Sequence, residues 1–182
     1  MSHIPTPATI EQAPEAAQPI LQGVQAALGS VPNMFRLVGN SPETLKGYLS
    51  LSSALDEGSL SPATRERIAL AVAELNGCDY CLAAHTYLAT NVARLTETEI
   101  LTNRHGSSGD NRAAVAVEFA ANLVQQRGAV QREDVQAVLD AGYSAAEVLE
   151  IIGHVALSTL TNYINSALAT AVDFPAVSDL AA

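Results

Sequence analysis

The sequence predicts an all-α protein, folded as a single-domain helical bundle of about eight helices. Hydrophobic residues make up 48% of the 182-residue chain, aromatic residues only 4%, and tryptophan is absent. Abundant alanine, leucine and valine with so few aromatic residues favour packed helices over a β-sandwich or barrel. Apolar residues recur at helical spacing, as at Ile68, Val72 and Leu75, and no segment alternates convincingly as a strand does. A chain of this length suits one domain with a substantial core.

Capping residues and glycines predict the helix boundaries in the first half of the chain. Residues 1–14 are rich in proline and predict an extended N-terminal arm. Serines shortly before a proline open helices at Ser30, Ser41 and Ser61, because serine caps a helix and proline suits its first turn. Glycines after the apolar pattern predict the ends. We therefore expect helices over residues 15–28, 32–38, 42–57 and 62–76.

Similar signals divide the second half. Gly77 breaks the preceding helix, and the sequences Thr96-Glu97-Thr98-Glu99 and Ser144-Ala145-Ala146-Glu147 have the form of capping boxes. The Gly/Ser-rich stretch 105–110 is the clearest internal break, but it is too short for an interdomain linker. The expected helices cover residues 78–92, 96–103, 110–127, 131–141 and 144–172. One helical domain over residues 15–175 and a tail over residues 176–182 complete this organisation.

The last predicted helix is apolar around most of its circumference, so it is expected to be buried on several sides. It is either the central helix of the bundle or part of a subunit interface, and we expect an obligate oligomer. Asn162, Tyr163 and Asn165 interrupt its apolar surface. These side chains either hydrogen-bond across a subunit interface or line a pocket.

Charge and hydropathy exclude several classes of partner. The formal net charge of −10 argues against nucleic acid and against an anionic membrane surface, because both require clustered lysine and arginine. No apolar run has the length of a transmembrane helix, and the N-terminal residues do not resemble a signal peptide. We therefore expect a cytoplasmic protein. In a reducing compartment two close cysteines are expected to be catalytic or metal-binding.

The two cysteines of the chain form the most reactive segment of the sequence. Cys78 and Cys81 are three residues apart, and His85 follows four residues later. On a helix this spacing places all three side chains on one face. A helix N-terminus and a neighbouring base both favour the thiolate form, which is the nucleophile. His85 is expected to take the proton of Cys81, and Cys78 is placed to act as the second thiol.

Glu66 lies twelve residues before Cys78, on the preceding predicted helix. If the chain folds back at Gly77, its carboxylate is expected to relay protons to and from the thiols. The alternative is a solvated ion pair with the adjacent Arg65 or Arg67. The spacing leaves both interpretations open.

The combination of Glu66, Cys78, Cys81 and His85 resembles the active-site signature of the alkylhydroperoxidase D group, within the carboxymuconolactone decarboxylase-like family. The resemblance implies thiol-dependent reduction of hydroperoxides without a bound cofactor or metal. It also implies that Cys81 attacks the peroxide, Cys78 resolves the sulfenic acid to a disulfide, His85 activates Cys81 and Glu66 completes the proton relay. Members of the family use a dithiol reductant, such as dihydrolipoamide or a thioredoxin-like protein, and form trimers or hexamers. Tyr80 departs from the histidine of the best-known members, which leaves the reductant open.

Three other interpretations remain open at this point. Cys78, Cys81 and His85 can supply three ligands to zinc, with His105 or His154 as the fourth. The family also contains muconolactone-type decarboxylases, although these generally lack the cysteine pair. Finally, the thiols can switch an interface in a non-catalytic redox-sensing oligomer. A lone histidine on an apolar helix, such as His154, is more often a buried structural residue than a catalyst.

Overall fold

Nine α-helices make up the described part of the chain, residues 2–178 and 180 of a computed structural model, and no strand occurs among these residues. The all-helical fold expected from the sequence is confirmed. The helices are α1 (Gln18–Leu28), α2 (Asn33–Val38), α3 (Pro42–Asp56), α4 (Pro62–Leu75), α5 (Asp79–Asn91), α6 (Glu97–Arg104), α7 (Asn111–Gln125), α8 (Arg132–Asp140) and α9 (Ala145–Leu168).

The N-terminal residues lie along their own chain. Residues Ile10–Gln12 and Glu15–Ala17 form single 3₁₀ turns before α1 begins. The backbone N–H of His3 donates to the carbonyl of Leu168 at 2.8 Å, and the Asn40 side chain donates to the carbonyl of Pro5 at 2.9 Å. These contacts hold the arm against the end of α9 and the start of α3.

Several predicted boundaries differ from the structure by one or two residues, and three differ for a reason that the backbone shows. The first α-helix begins at Gln18 instead of Glu15, because the preceding turn is 3₁₀. The second begins at Asn33, with Pro32 as the residue before the helix. The last helix ends at Leu168 and not at Val172, because Ala169 adopts the left-handed conformation that commonly terminates helices.

Side-chain caps explain most of the other boundaries. Ser41, Ser61, Asp110 and Ser144 each accept a hydrogen bond from the backbone three residues later, as their positions predict. Ser144 and Glu147 form the complete capping box. Thr96 also caps its helix, but the Glu99 side chain does not return to it. This carboxylate accepts instead from Arg67, Asn103, Ser108 and the backbone of Gly109.

The central helix is α4. Residues 68–73 are all buried, and α4 packs against α5, α6, α7 and α9. One apolar cluster joins α4 to α7, α8 and α9, around Ile68, Phe119 and Ile151. A second joins the N-terminal helices to the start of α5 and contains both cysteines. The site predicted from the sequence therefore lies where α4, α5 and α9 meet.

The last helix has an unusual distribution of side chains. Its exposed face carries apolar side chains, and its buried face, which is apolar at Val148, Ile151 and Val155, becomes polar over the second half of the helix. The exposed apolar residues are Leu149, Ile152, Leu160 and Tyr163, and the buried polar residues are His154, Ser158, Thr161, Asn162 and Asn165. In the described residues, no helix, α9 included, is both long and apolar enough to cross a bilayer.

Candidate active site

The cysteine segment begins at a tight reversal between α4 and α5. Gly77 has a φ of +61°, a left-handed conformation that glycine adopts without steric cost. The Cys78 N–H donates back to the carbonyl of Ala73 at 3.0 Å, which fixes the reversal. The chain therefore enters α5 directly at Asp79, with Cys78 as the N-cap residue.

The two cysteines are paired as a disulfide at the start of α5, with their Cα atoms 5.3 Å apart. The backbone N–H of Cys81 donates to Cys78 Sγ at 3.3 Å, so that a sulfur atom serves as the helix cap. Both residues are buried, at 1% and 3% exposure. The sulfur atoms therefore lie beside unpaired N–H groups at a helix N-terminus, where negative charge is favoured.

Glu66 and His85 form a direct pair across α4 and α5. His85 Nδ1 lies 2.9 Å from Glu66 Oε2, and both side chains are about three-quarters buried or more. The arginines beside Glu66 have other partners: Arg65 binds Asp56 at 2.8 Å and Arg67 binds Glu99 at 2.7 Å. The alternative of an ion pair between Glu66 and its arginine neighbours is therefore wrong.

This pairing determines the tautomer of His85. The carboxylate accepts from Nδ1–H, which leaves Nε2 of a neutral imidazole as the proton acceptor. His85 follows Cys81 by one helical turn on α5. The arrangement provides a base with an oriented ring on the same helix as the buried sulfur atoms.

Two asparagines of α9 reach the cysteine segment. Asn165 Nδ2 donates to Cys81 Sγ at 3.3 Å, and Asn162 Oδ1 accepts from Asn76 Nδ2 at 2.9 Å. Both asparagines are buried, whereas Tyr163 between them is exposed. The sequence left open whether these residues line a pocket or a subunit interface. In the structure the two asparagines point inward, toward the thiol site, and Tyr163 points outward.

Tyr80 lies between the cysteines in sequence but is bound elsewhere. Its hydroxyl donates to Asp173 Oδ1 at 2.9 Å and accepts from the backbone N–H of Met34 at 3.2 Å. Phe174 packs edge-on against its ring. Burial, together with the Asp173 carboxylate, raises the pKa of Tyr80 above its usual range. Tyr80 therefore anchors the segment after α9 and the start of α2 to the cysteine helix.

The remaining histidines differ in their surroundings. His154 is buried on α9, and burial lowers its pKa, assisted by Arg65 and opposed by the carboxylates of Asp56, Glu150 and Glu66. His105 is exposed. Within the described residues, no three histidine, cysteine, aspartate or glutamate side chains come together as a ligand set for a metal ion.

Tyr48 on α3 lies near Glu66, and no sequence pattern singles it out. Burial raises the pKa of Tyr48 to about 12, and the carboxylates of Asp56 and Glu66 add to the effect. Its neighbour on α3, Leu49, belongs with it to the apolar cluster around the cysteines. A tyrosine on an ordinary amphipathic helix carries no local signal of such a location.

Comparisons with known proteins agree with this fold. The model of the Carboxymuconolactone decarboxylase family matches residues 42–122, which contain α4, α5 and the cysteine segment. A peroxidase-related protein with an alkylhydroperoxidase AhpD core, from Ralstonia eutropha JMP134, superimposes with a TM-score of 0.83 at 22% identity, over 94% of this chain and 92% of that one. No curated protein matches the chain.

Two further solved structures share the architecture. A peroxidase-related protein from Silicibacter sp. TM1040 gives a TM-score of 0.81 at 24% identity, covering 93% of this chain and 91% of that one. The debrominase Bmp8 gives a TM-score of 0.77 at 20% identity, covering 94% of this chain and 92% of that one. The fold is thus that of the alkylhydroperoxidase D-like helical proteins. The match of residues 42–122 to the carboxymuconolactone decarboxylase family agrees with the resemblance that the sequence signature indicated.

Proposed function

We propose that the protein is a thiol-dependent peroxidase that reduces hydroperoxides through a dithiol–disulfide cycle of Cys78 and Cys81. The observation that carries the proposal is the association of the cysteine pair with an oriented pair formed by His85, on the same helix, and Glu66, on the adjoining helix α4. A metal-independent decarboxylation does not require paired thiols, so the cysteine pair favours the peroxidase over the decarboxylase of the same family.

The cycle begins with the reduced protein. His85 takes the proton of the Cys81 thiol, and the thiolate attacks the terminal oxygen of the hydroperoxide. A sulfur–oxygen bond forms, the oxygen–oxygen bond breaks, and the departing alkoxide takes the proton from His85. Cys81 is oxidised to a sulfenic acid and the peroxide is reduced to an alcohol. The Glu66 carboxylate stabilises the protonated imidazole while it holds the proton.

The second thiol completes the oxidation. The Cys78 thiolate attacks the Cys81 sulfur, a sulfur–sulfur bond forms, and hydroxide leaves as water after protonation. An external dithiol, of the dihydrolipoamide or thioredoxin type, then reduces the disulfide and is itself oxidised to a disulfide. A cytoplasmic environment supplies such reductants.

The decisive experiment is reduction of cumene hydroperoxide with dihydrolipoamide as the electron donor. We expect turnover in the wild type and none in Cys81→Ser. Cys78→Ser is expected to consume about one equivalent of peroxide and to stop as a sulfenic acid. If no variant turns over and both thiols remain open to alkylation after peroxide treatment, the peroxidase proposal fails. Decarboxylation of a muconolactone-type acid that survives loss of both thiols would instead support the decarboxylase.

We also propose that the protein assembles as a homo-oligomer, either a trimer or a hexamer. The exposed apolar side chains of α9 support this, because a helix face of this kind is usually covered by another surface. Light scattering of the oxidised and reduced protein tests the assembly. An assembly that changes with oxidation, combined with negligible turnover, would favour the non-catalytic redox sensor.

A further inference from the structure

Burial of Cys81 opposes the thiolate form that the helix N-terminus favours. Its side chain is 3% exposed and lies in the apolar cluster with Tyr80, Leu82 and Leu45. Burial in apolar surroundings disfavours a charged sulfur unless hydrogen-bond donors compensate for the lost water. A reactive sulfur at this position therefore requires donors supplied by the protein.

The nearest backbone donor serves the other sulfur. The N–H of Cys81 points to Cys78 Sγ, as expected for a cap residue and the third residue of its helix. The donor to Cys81 Sγ comes from the Asn165 side chain, at 3.3 Å, across the interface between α5 and α9. Each sulfur thus has its own donor, and only that of Cys81 is a side chain that mutation can remove.

Asn165 also presents an acceptor in the same buried space. The side chain is 3% exposed, and its Oδ1 atom has no hydrogen-bond partner among the described residues. A buried acceptor without a partner destabilises the folded state, and an apolar side chain would avoid this cost. A carboxamide here has a stability disadvantage, which is understandable if both of its polar ends are used during the reaction.

We propose that Asn165 is a further catalytic residue of the thiol site, which holds the Cys81 sulfur as a thiolate and then binds the hydroxyl that this sulfur receives. The proposal rests on the peroxidase function and deepens it. In the reduced protein Nδ2–H donates to the thiolate. After the oxygen–oxygen bond breaks, the sulfenic acid carries an O–H group, and Asn165 Oδ1 is the acceptor beside it. Attack by Cys78 then expels this oxygen as water.

Asn162 provides a matched control. It is also buried on α9, one turn earlier, and its Nδ2 atom likewise has no partner among the described residues. Its Oδ1 accepts from Asn76 and not from a cysteine. Replacement of either asparagine removes a buried amide from the same helix face. Only replacement of Asn165 removes a donor from a sulfur.

The test measures the reactivity of Cys81 alone, in a Cys78→Ser background that has one thiol. The rate of alkylation by iodoacetamide is followed against pH in the parent, Asn165→Leu, Asn165→Asp and Asn162→Leu. We expect the alkylation midpoint to rise by about one pH unit in both Asn165 variants, which is roughly a tenfold loss of thiolate at neutral pH. The midpoint of Asn162→Leu should equal that of the parent. Asn165→Asp preserves the side-chain shape, so the test does not depend on tolerance of leucine.

The other titratable groups around the site are present in every variant. These are Tyr48 on α3, Glu66 on α4, Asp79, Tyr80 and His85 on α5, His154 on α9, and Asp173 after α9. An unchanged midpoint in folded Asn165 variants would overturn the proposal, as would an equal rise in Asn162→Leu. Trapping with dimedone provides a second readout, in which the sulfenic acid should be shorter-lived without Asn165.

Alkylation does not require peroxide turnover, so the two proposals can fail separately. A raised midpoint in a protein without peroxidase activity would support the thiolate role of Asn165 and reject the peroxidase. Peroxidase activity in the wild type with no rise of the midpoint would reject Asn165 and leave the peroxidase intact.

Discussion

Glu66 and His85 are held 2.9 Å apart across two helices, although each has charged or polar neighbours nearer in sequence. The arginines on both sides of Glu66 are bound to Asp56 on α3 and Glu99 on α6. Glu66 is therefore available to orient the histidine.

The first prediction concerns this pair. Glu66→Gln should lower peroxide turnover by about 10²-fold, the lower end of what general acid–base catalysis contributes, because the protonated imidazole loses its counter-charge. The measurement is steady-state turnover with cumene hydroperoxide. Because Glu66 acts through His85, adding Glu66→Gln to a His85→Gln variant should cause little further loss. Full activity in Glu66→Gln, or strictly multiplicative losses, would contradict the relay.

The second prediction concerns the reversal before the cysteines. Gly77→Ala should destabilise the protein by about 1–2 kcal/mol, because Cβ is unfavourable at a φ of +61°. Gly47→Ala is the control, since Gly47 lies within α3, is exposed and has no atom within 4 Å of the added Cβ. It should stabilise α3 by roughly 0.5–1 kcal/mol. Urea unfolding measures the change in the free energy of unfolding for both variants. Equal changes would show that a side chain at position 77 does not strain the backbone.

The third prediction concerns the segment after α9. Tyr80→Phe leaves Asp173 Oδ1 and the N–H of Met34 without their partner and should cost about 1–3 kcal/mol. Tyr87→Phe is the control: this residue is 45% exposed and also contacts Phe174, but through its ring. It should change stability by less than about 0.5 kcal/mol. Hydrogen exchange at Met34 should accelerate only in Tyr80→Phe, and similar exchange in both variants would contradict the anchoring role.

The fourth prediction concerns acid sensitivity. Burial alone raises the pKa of Glu99, but hydrogen bonds from Ser108, Asn103, Arg67 and Gly109 lower it to about 2. Because this folded-state pKa lies below the ordinary carboxyl value of 4.5, the carboxylate stabilises the fold above pH 4.5. That stability is lost as the pH falls from 4.5 toward 2.

Glu99→Gln should therefore unfold more easily at pH 7, by at most about 3 kcal/mol, and its disadvantage should shrink across that acid range. Thermal unfolding at a series of pH values tests this. Glu57→Gln is the control at an exposed position, and its unfolding temperature should follow that of the wild type across the pH series. A constant difference between Glu99→Gln and wild type from pH 7 to pH 3 would rule out the assigned linkage.

The helices were predictable because their signals are local. Ser41, Ser61 and Ser144 cap their helices through the next three residues, so a short segment contains the information. The end of α9 was not predictable in the same way. Alanine rarely adopts the left-handed conformation, yet Ala169 does so where the chain turns back toward α2.

The residues of the candidate site could be selected from the sequence, but not all of their contacts. The spacing of Cys78, Cys81 and His85 on one helix determines that they are neighbours. Glu66 is free to pair with His85 because its flanking arginines bind Asp56 and Glu99, which lie on other helices. The rotation of α9 that brings Asn165 to Cys81 runs against the usual rule, because the second half of this helix buries polar side chains and exposes Leu160 and Tyr163.

The contact between Asn165 and Cys81 also has a consequence for biosynthesis. The two residues are separated by 84 positions, and Asn76 and Asn162 by 86. At about 5–20 residues per second, a ribosome needs roughly 4–17 s to add the residues between Cys81 and Asn165. During that interval both cysteines have been synthesised, but α9, which packs against them in the folded protein, has not. The newly made protein is therefore most open to oxidation and to mixed disulfides before its last helix is released.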